Sequence, residues 1–186
     1  ISYKVSIICA VWNEEKHLKK HLESLVNQTY NNKEVIIVDD GSIDKTGEIA
    51  KEFVKNYKFV KYFKIKHIDG YGCVRPRIEA IKQASGKVLC IVDADGYYEV
   101  DNIEKGIELL FSSKDIAAVV PRMNAWNPNN FISKYRAMVY ESRFLNSKLI
   151  SKGAAEGKYS PWLMKRSVYE KAGSYNLKDA YSEDVG

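Results

Sequence analysis

Five short apolar runs, separated by stretches of helical period, constrain this sequence more than any other feature. Lys4 to Val11 is almost continuously apolar, as expected of a strand covered on both faces. After Trp12-Asn13-Glu14-Glu15 the period changes. Leu18, Leu22, Leu25 and Val26 recur as one stripe of an amphipathic helix, with acidic residues expected in its first turn. Glu34 to Val38 reads as a second buried strand, followed by a helix with Ile49, Phe53 and Val54 inward. Val60 to Ile65 is a weaker third strand, nearer an edge. Pro76 suits the first turn of a third helix carrying Ile78, Ile81 and Ala84 inward, and Gly86 suits its stop. Val88 to Val92 is a fourth strand. Asp101 with Glu104 forms a cap-like start to a helix burying Ile103, Ile107 and Leu110, and Ile116 to Val120 is a fifth strand. Such alternation implies a single α/β domain with a doubly wound, mainly parallel sheet and right-handed crossovers. Ligands of these sheets bind beyond the carboxyl ends of the strands.

Composition narrows the class. The 186 residues make about one domain, and 45% hydrophobic with 28% charged residues describes an ordinary globular protein. No apolar run approaches the ~20 residues that cross a bilayer. The net charge of +5 fits attraction to phosphate-bearing ligands or anionic lipid, but the solvated helix face of Lys16-His17-Leu18-Lys19-Lys20 is the simpler reading. No basic stripe with interleaved aromatics points to nucleic acid. Cys9, Cys73 and Cys90 have no metal-type spacing, which places the chain in a reduced, cytoplasmic setting, extending at most to peripheral association with the cytoplasmic face of a membrane. Asn27-Gln28-Thr29 fits a glycosylation sequon but falls at a helix end, where a chance match is the simpler reading. The chain opens almost inside its first strand and is expected to continue beyond Gly186. After Pro121 the character shifts: Phe131 to Ile150 reads as a longer helix, 152–157 as a loop, and Ser167 to Glu170 as a capping box whose short helix Gly173 closes. The expected organisation is one domain over 1–186, with a ligand-binding half at 1–120 and a second half at 121–186.

Acidic residues follow three of the strands: Glu14 after the first, Asp39-Asp40 after the second, and Asp93-Ala94-Asp95 after the fourth. One such Asp is an ordinary turn residue. Three on one sheet edge would crowd carboxylates where the fold binds its ligand, raising one another's pKa unless they share a cation. Two carboxylates at i and i+2 of an extended chain lie on the same side, about 6–7 Å apart, so unequal roles are expected. Asp95 would hold a divalent cation; Asp93 would accept from a ribose or ligate through water. Mg2+ or Mn2+ suits all-oxygen ligation that borrows oxygens from a diphosphate. In Val38-Asp39-Asp40-Gly41-Ser42-Ile43-Asp44-Lys45-Thr46, Gly41 permits a sharp turn and Ser42 or Asp44 can cap the next helix. That leaves Asp40 free to accept from the N–H of a pyrimidine base.

With these segments in place, the sequence resembles the family-two glycosyltransferases of the GT-A, nucleotide-diphospho-sugar transferase fold. Ala10-Val11-Trp12-Asn13-Glu14-Glu15 matches the family's opening segment, and Ser24-Leu25-Val26-Asn27-Gln28-Thr29-Tyr30 its S-L-x-x-Q-T-Y stretch. The V-D-D-G-S-x-D-x-T signature stands intact at 38–46. Gly72, Arg77 and Ala84-Ser85-Gly86 follow its G-x-x-x-A-R-N…A-x-G pattern, Asp93-Ala94-Asp95 its D-x-D, and Ser182-Glu183-Asp184 its acidic E-D motif. The resemblance implies Trp12, Glu14 and Asp40 at the nucleobase and ribose, Asp93 near the ribose, Asp95 with Asp93 on the metal, and Arg77 near the nucleotide. It implies Glu183 and Asp184 as the catalytic pair, with Asp184 as general base. Trp12 stands where Tyr is usual, Pro76 and Ile78 flank Arg77 where Ala and Asn are usual, and Val100 replaces the usual Pro.

The implied reaction is inverting transfer of a sugar from a UDP- or GDP-sugar to an acceptor hydroxyl, as in polysaccharide biosynthesis, on a saccharide, a protein or a polyprenyl phosphate. Two readings compete. A non-catalytic nucleotide-sugar-binding homologue would have no need of Asp184. A sugar-phosphate nucleotidyltransferase would want a Gly-rich, basic loop after the first strand, where Trp12-Asn13-Glu14-Glu15 is neither. A dehydrogenase lacks its G-x-G-x-x-G there. Simpler structural uses are a core position for Trp12, a surface helix charge for Arg77, a solvated terminal pair for Glu183-Asp184, and helix packing for Trp162 and the Tyr residues of 135–181. His17, His21 and His67 form no ligand cluster and read as surface residues.

Overall fold

The computed structural model describes residues 2–119, 163–175 and 177. The expected helix 131–150, the loop 152–157, Trp162, Glu183 and Asp184 lie outside the described residues.

Six strands form one sheet in the order β3-β2-β1-β4-β6-β5. β1 (Val5–Val11), β2 (Lys33–Asp39), β3 (Val60–Lys64) and β4 (Val88–Asp93) run parallel. β6 (Leu163–Lys165) is antiparallel to β4 and to β5 (Ala118–Val119). The doubly wound, mainly parallel sheet of the sequence reading is therefore present, with β3 at an edge as expected. β6 was not expected: three residues are too few to show a period. It lies between β4 and β5, so the fifth strand does not neighbour the fourth.

Strand residues alternate between two apolar layers, as the pleat requires. Ile7, Cys9, Ile37 and Cys90 face α1 (Leu18–Val26), α2 (Thr46–Asn56) and α4 (Asn102–Ser112). Ile8, Ile36, Leu89 and Ile91 face α3 (Val74–Gln83), with Tyr169 of α5 (Arg166–Lys171) and Tyr175 packed against the same cluster. Those two tyrosines do serve packing. Each fully buried Leu or Ile contributes roughly 1.5–3 kcal/mol relative to exposure, and cover on both faces is why these strands read as apolar runs.

Several helix details differ from the periodic reading. Leu18, Leu22, Leu25 and Val26 are buried, but Glu14 and Glu15 precede α1 and its first turn holds no acid. In α2 Ala50 and Phe53 are buried while Val54 is 38% exposed. The stripe of α3 is shifted toward Val74, Arg77, Ala80 and Ile81. α4 buries Ile103, Ile107 and Leu110 as expected, yet Asp101 makes no side-chain cap and pairs with Lys105 instead. Gln28 does the capping, its Oε1 accepting from Ile103 N at 3.0 Å while its Nε2 donates to Ser24 O and Glu99 O. One residue thus ties the end of α1 to the start of α4. The capping box at 167–170 does not form either; α5 starts at Arg166, whose Nε meets Glu170 at 3.3 Å. Gly173 closes the helix with φ +99°. Gly86 is no helix stop, since α3 ends at an extended Ala84. Any Cβ at Gly86 would lie 2.6 Å from Lys4 O, so glycine is needed there for close approach to β1.

Candidate active site

Parallel register places the acidic strand ends level. Ala10 of β1 pairs with Val38 on one side and Asp93 on the other, and Val11 pairs with Asp39. Residues just beyond these points line a cleft of about 710 Å³, among them Trp12, Glu14, Asp40, His67, Asp93 and Asp95. All five described cleft residues expected after β1, β2 and β4 are therefore brought together where the fold rule directs a ligand.

The 38–46 signature works mainly as a clasp. Asp39 is fully buried, accepting from Ser42 N and from Tyr62 Oη, each at 2.7 Å. Ser42 Oγ accepts from Asn13 N at 2.9 Å, and Thr46 Oγ1 from Glu14 N at 2.7 Å. Asp44 accepts from Thr46 N and Glu15 N, so Asp44 rather than Ser42 covers the start of α2. Asn13 returns the contact, its Oδ1 accepting from Ile43 N, and its φ of 53° is one that Asn tolerates. These bonds hold Trp12 and Glu14 over the sheet edge. Gly41, at φ +75°, sits where a Cβ would lie 2.8 Å from His67 N.

Asp40 is not free, contrary to the sequence reading. Its Oδ2 accepts from His67 Nδ1 at 2.7 Å and its Oδ1 from Arg75 at 3.3 Å, with the carboxylate 6% exposed. The His67 ring lies flat on Trp12, centroids 4.8 Å apart and 4° from parallel. Trp12 is 52% exposed, which excludes a core role. His67 is thus a cleft residue, not a surface one, and it and Arg75 were missed. The signal available was the glycine-punctuated loop after β3, which carries His67 and leads into the first turn of α3, where Arg75 sits. The hydrogen bond to Asp40 raises the His67 pKa above its ordinary value. The pair's stabilisation is therefore full below about pH 6.5 and is lost as pH rises through the raised value. Asp40→Asn is expected to return His67 toward the ordinary range in an NMR titration; an unmoved midpoint would show that Asp40 is not the cause.

Arg77 is 5% exposed, so it is no surface helix charge. It donates from Nη2 to Asp93 Oδ1 at 2.7 Å. Ala94 is buried and both flanking carboxylates are exposed and line the cleft, although β4 ends at Asp93 and a turn, not extended chain, carries Ala94 and Asp95. Gly96 N donates to Asp93 O at 3.0 Å, closing the turn. Burial, and then the charge of Asp95, raises the Glu14 pKa. A cation beside Asp95 would relieve that repulsion. No group of three acidic, His or Cys side chains converges among the described residues. The donor set fits an ion held by one or two carboxylates and completed by phosphate oxygens and water.

His17 is exposed as expected, but His21 is not: it is fully buried in the α1 stripe. Its spacing of three from Leu18 and four from Leu25 was the signal for that.

The family model for glycosyl transferase family 2 matches residues 6–173. The chain belongs to glycosyl transferase family 2. Among its relatives, the poly-β-1,6-N-acetyl-D-glucosamine synthase of Staphylococcus epidermidis is 31% identical over 141 residues, 74% of this chain and 33% of the synthase. S. aureus TarS (residues 1–349), solved with UDP-GlcNAc, aligns with TM-score 0.53 and 29% identity over 57% of this chain and 31% of that one. The mannosyltransferase PcManGT of Pyrobaculum calidifontis, solved with GDP-Man and Mn2+, aligns with TM-score 0.68 over 95% of this chain and 48% of that one, at 19% identity. This family 2 chain spans about a third or less of the length of several curated relatives it matches.

Proposed function

We propose that this family 2 domain binds a UDP- or GDP-sugar in the cleft and transfers the sugar to an acceptor hydroxyl with inversion. The observation that carries the reading is the cleft itself: the loops after β1 and β2 supply Trp12, Glu14 and Asp40, the end of β4 supplies Asp93 and Asp95, and all five line it on one sheet edge. The first group faces the nucleobase and ribose. Arg77 fixes Asp93, which accepts from the ribose. Asp95 with Asp93 would hold Mg2+ or Mn2+, which supplies Lewis-acid stabilisation of the departing diphosphate. The complexes of TarS with UDP-GlcNAc and of PcManGT with GDP-Man and Mn2+ support both donor classes and the metal.

Glu183 and Asp184 complete the reading, Asp184 taking the proton from the acceptor hydroxyl as that oxygen attacks the anomeric carbon from the face opposite the diphosphate. The acceptor is a saccharide, a protein or a polyprenyl phosphate, met by the 121–186 half. The polysaccharide synthase among the relatives supports the first of these. No described helix is long and apolar enough to cross a membrane. Incubation with UDP- and GDP-sugars, Mn2+ and an acceptor panel tests the proposal. Release of nucleoside diphosphate with glycosylated product is expected for one donor class. Tight donor binding without product from any acceptor would favour the non-catalytic homologue.

A further inference from the structure

His21 lies directly beneath the turn that carries Asp93 and Asp95. Its Nδ1 is 2.6 Å from Gly96 O and its Nε2 is 3.4 Å from Cys9 Sγ, with the whole side chain buried. A carbonyl only accepts, so Nδ1 carries the hydrogen. Burial lowers the His21 pKa and, aided by the charges of Asp93 and Glu14, raises that of the Cys9 thiol. A neutral ring protonated at Nδ1 leaves Nε2 as an acceptor, and the protonated thiol is its donor. One polar chain therefore runs from β1 through α1 to the turn: Cys9 Sγ–H to His21 Nε2, His21 Nδ1–H to Gly96 O. Gly96 N then donates to Asp93 O, and the Tyr98 and His21 rings meet in a T-shaped arrangement with centroids 5.9 Å apart.

We propose that His21 is a positioning residue, holding the Asp93–Gly96 turn so that both carboxylates face the cleft in a fixed arrangement. Its metal consequence rests on the reading above that Asp95 binds the cation. An exposed turn of four residues loses conformational freedom when it must present two oxygens at a set spacing, and a buried anchor removes that freedom in advance. Outer-shell partners of metal sites act in this way, and losing one typically costs about 10–100-fold in metal affinity.

The test compares two substitutions of similar size and polarity. In His21→Asn the amide nitrogen stands near the position of Nδ1 and can still donate to Gly96 O. In His21→Gln the amide reaches toward Cys9 and leaves Gly96 O without its donor. Two readouts are taken on each protein: hydrogen exchange of the Gly96 amide without metal, and UDP affinity with Mn2+ and with EDTA. His21→Gln is expected to speed Gly96 exchange and to weaken Mn2+-dependent UDP binding about tenfold or more. His21→Asn is expected to stay near the parent in both, and the parent imidazole to show a protonated Nδ1 by ¹⁵N NMR. Equal behaviour of the two variants in Gly96 exchange would overturn the proposal, whether both match the parent or both depart from it. A parent whose UDP binding ignores Mn2+ would instead overturn the metal role of Asp95, with the exchange result still deciding whether His21 pins the turn.

Discussion

Asp184→Asn protein is expected to bind UDP as the parent does and to lose turnover by about 10²–10⁴-fold, the usual contribution of a positioned general base. Asn keeps the shape of the side chain and removes its basicity, so binding and proton transfer separate. Attack by a neutral hydroxyl leaves a proton on the bridging oxygen, and the carboxylate of Asp184 is the group assigned to receive it. Turnover is measured as nucleoside diphosphate released with the preferred donor and acceptor, and affinity by calorimetry. Near-parental turnover would remove Asp184 from the chemistry. Equal loss of affinity and turnover would make it a binding residue.

The second large effect concerns Asp95. Asp95→Ala is expected to bind UDP equally with Mn2+ and with EDTA, losing at least about a hundredfold of metal-dependent affinity, the upper end of what an outer-shell loss costs. Ions of this kind are bound through one or two carboxylates plus phosphate oxygens. No third acidic, His or Cys side chain joins Asp93 and Asp95 in a cluster among the described residues, so little remains to replace the lost oxygen. Retention of a full Mn2+ response would place the ion elsewhere. Glu14 offers an internal check: part of its raised pKa comes from Asp95, so the variant should titrate Glu14 at lower pH than the parent does.

The core strands were legible because burial on both faces leaves almost no choice of residue. Ile7, Ile8, Ile36, Ile37, Leu89 and Cys90 lie in runs that no amphipathic element would tolerate. The acids of the cleft were legible for a related reason: strand ends of a parallel sheet share one edge, so position in sequence fixes position in space. The rest depends on contacts between distant segments. β6 is too short to carry a period, and its place between β4 and β5 is set by a segment about seventy residues beyond β4. His67 reaches Asp40 from the loop after β3 and Arg75 from the first turn of α3, and no local pattern encodes the path that brings them there. Their presence turned Asp40 from a free acceptor into a paired one. Gly86 was read as a local stop, whereas the approach of Lys4 O, some eighty residues earlier, dictates it. In the 38–46 signature Ser42 and Asp44 were read as caps of the next helix, yet in the folded chain Ser42, Asp44 and Thr46 also hold the 13–15 loop in place.

The most direct test is a calorimetric titration of UDP and of GDP into the parent protein, first with Mn2+ and then with EDTA. One nucleotide is expected to bind at one site per chain, and chelation is expected to weaken that binding at least about a hundredfold, the same metal-dependent affinity that Asp95→Ala removes. No saturable heat from either nucleotide in the presence of Mn2+ would contradict a diphosphate site between Trp12 and Asp95.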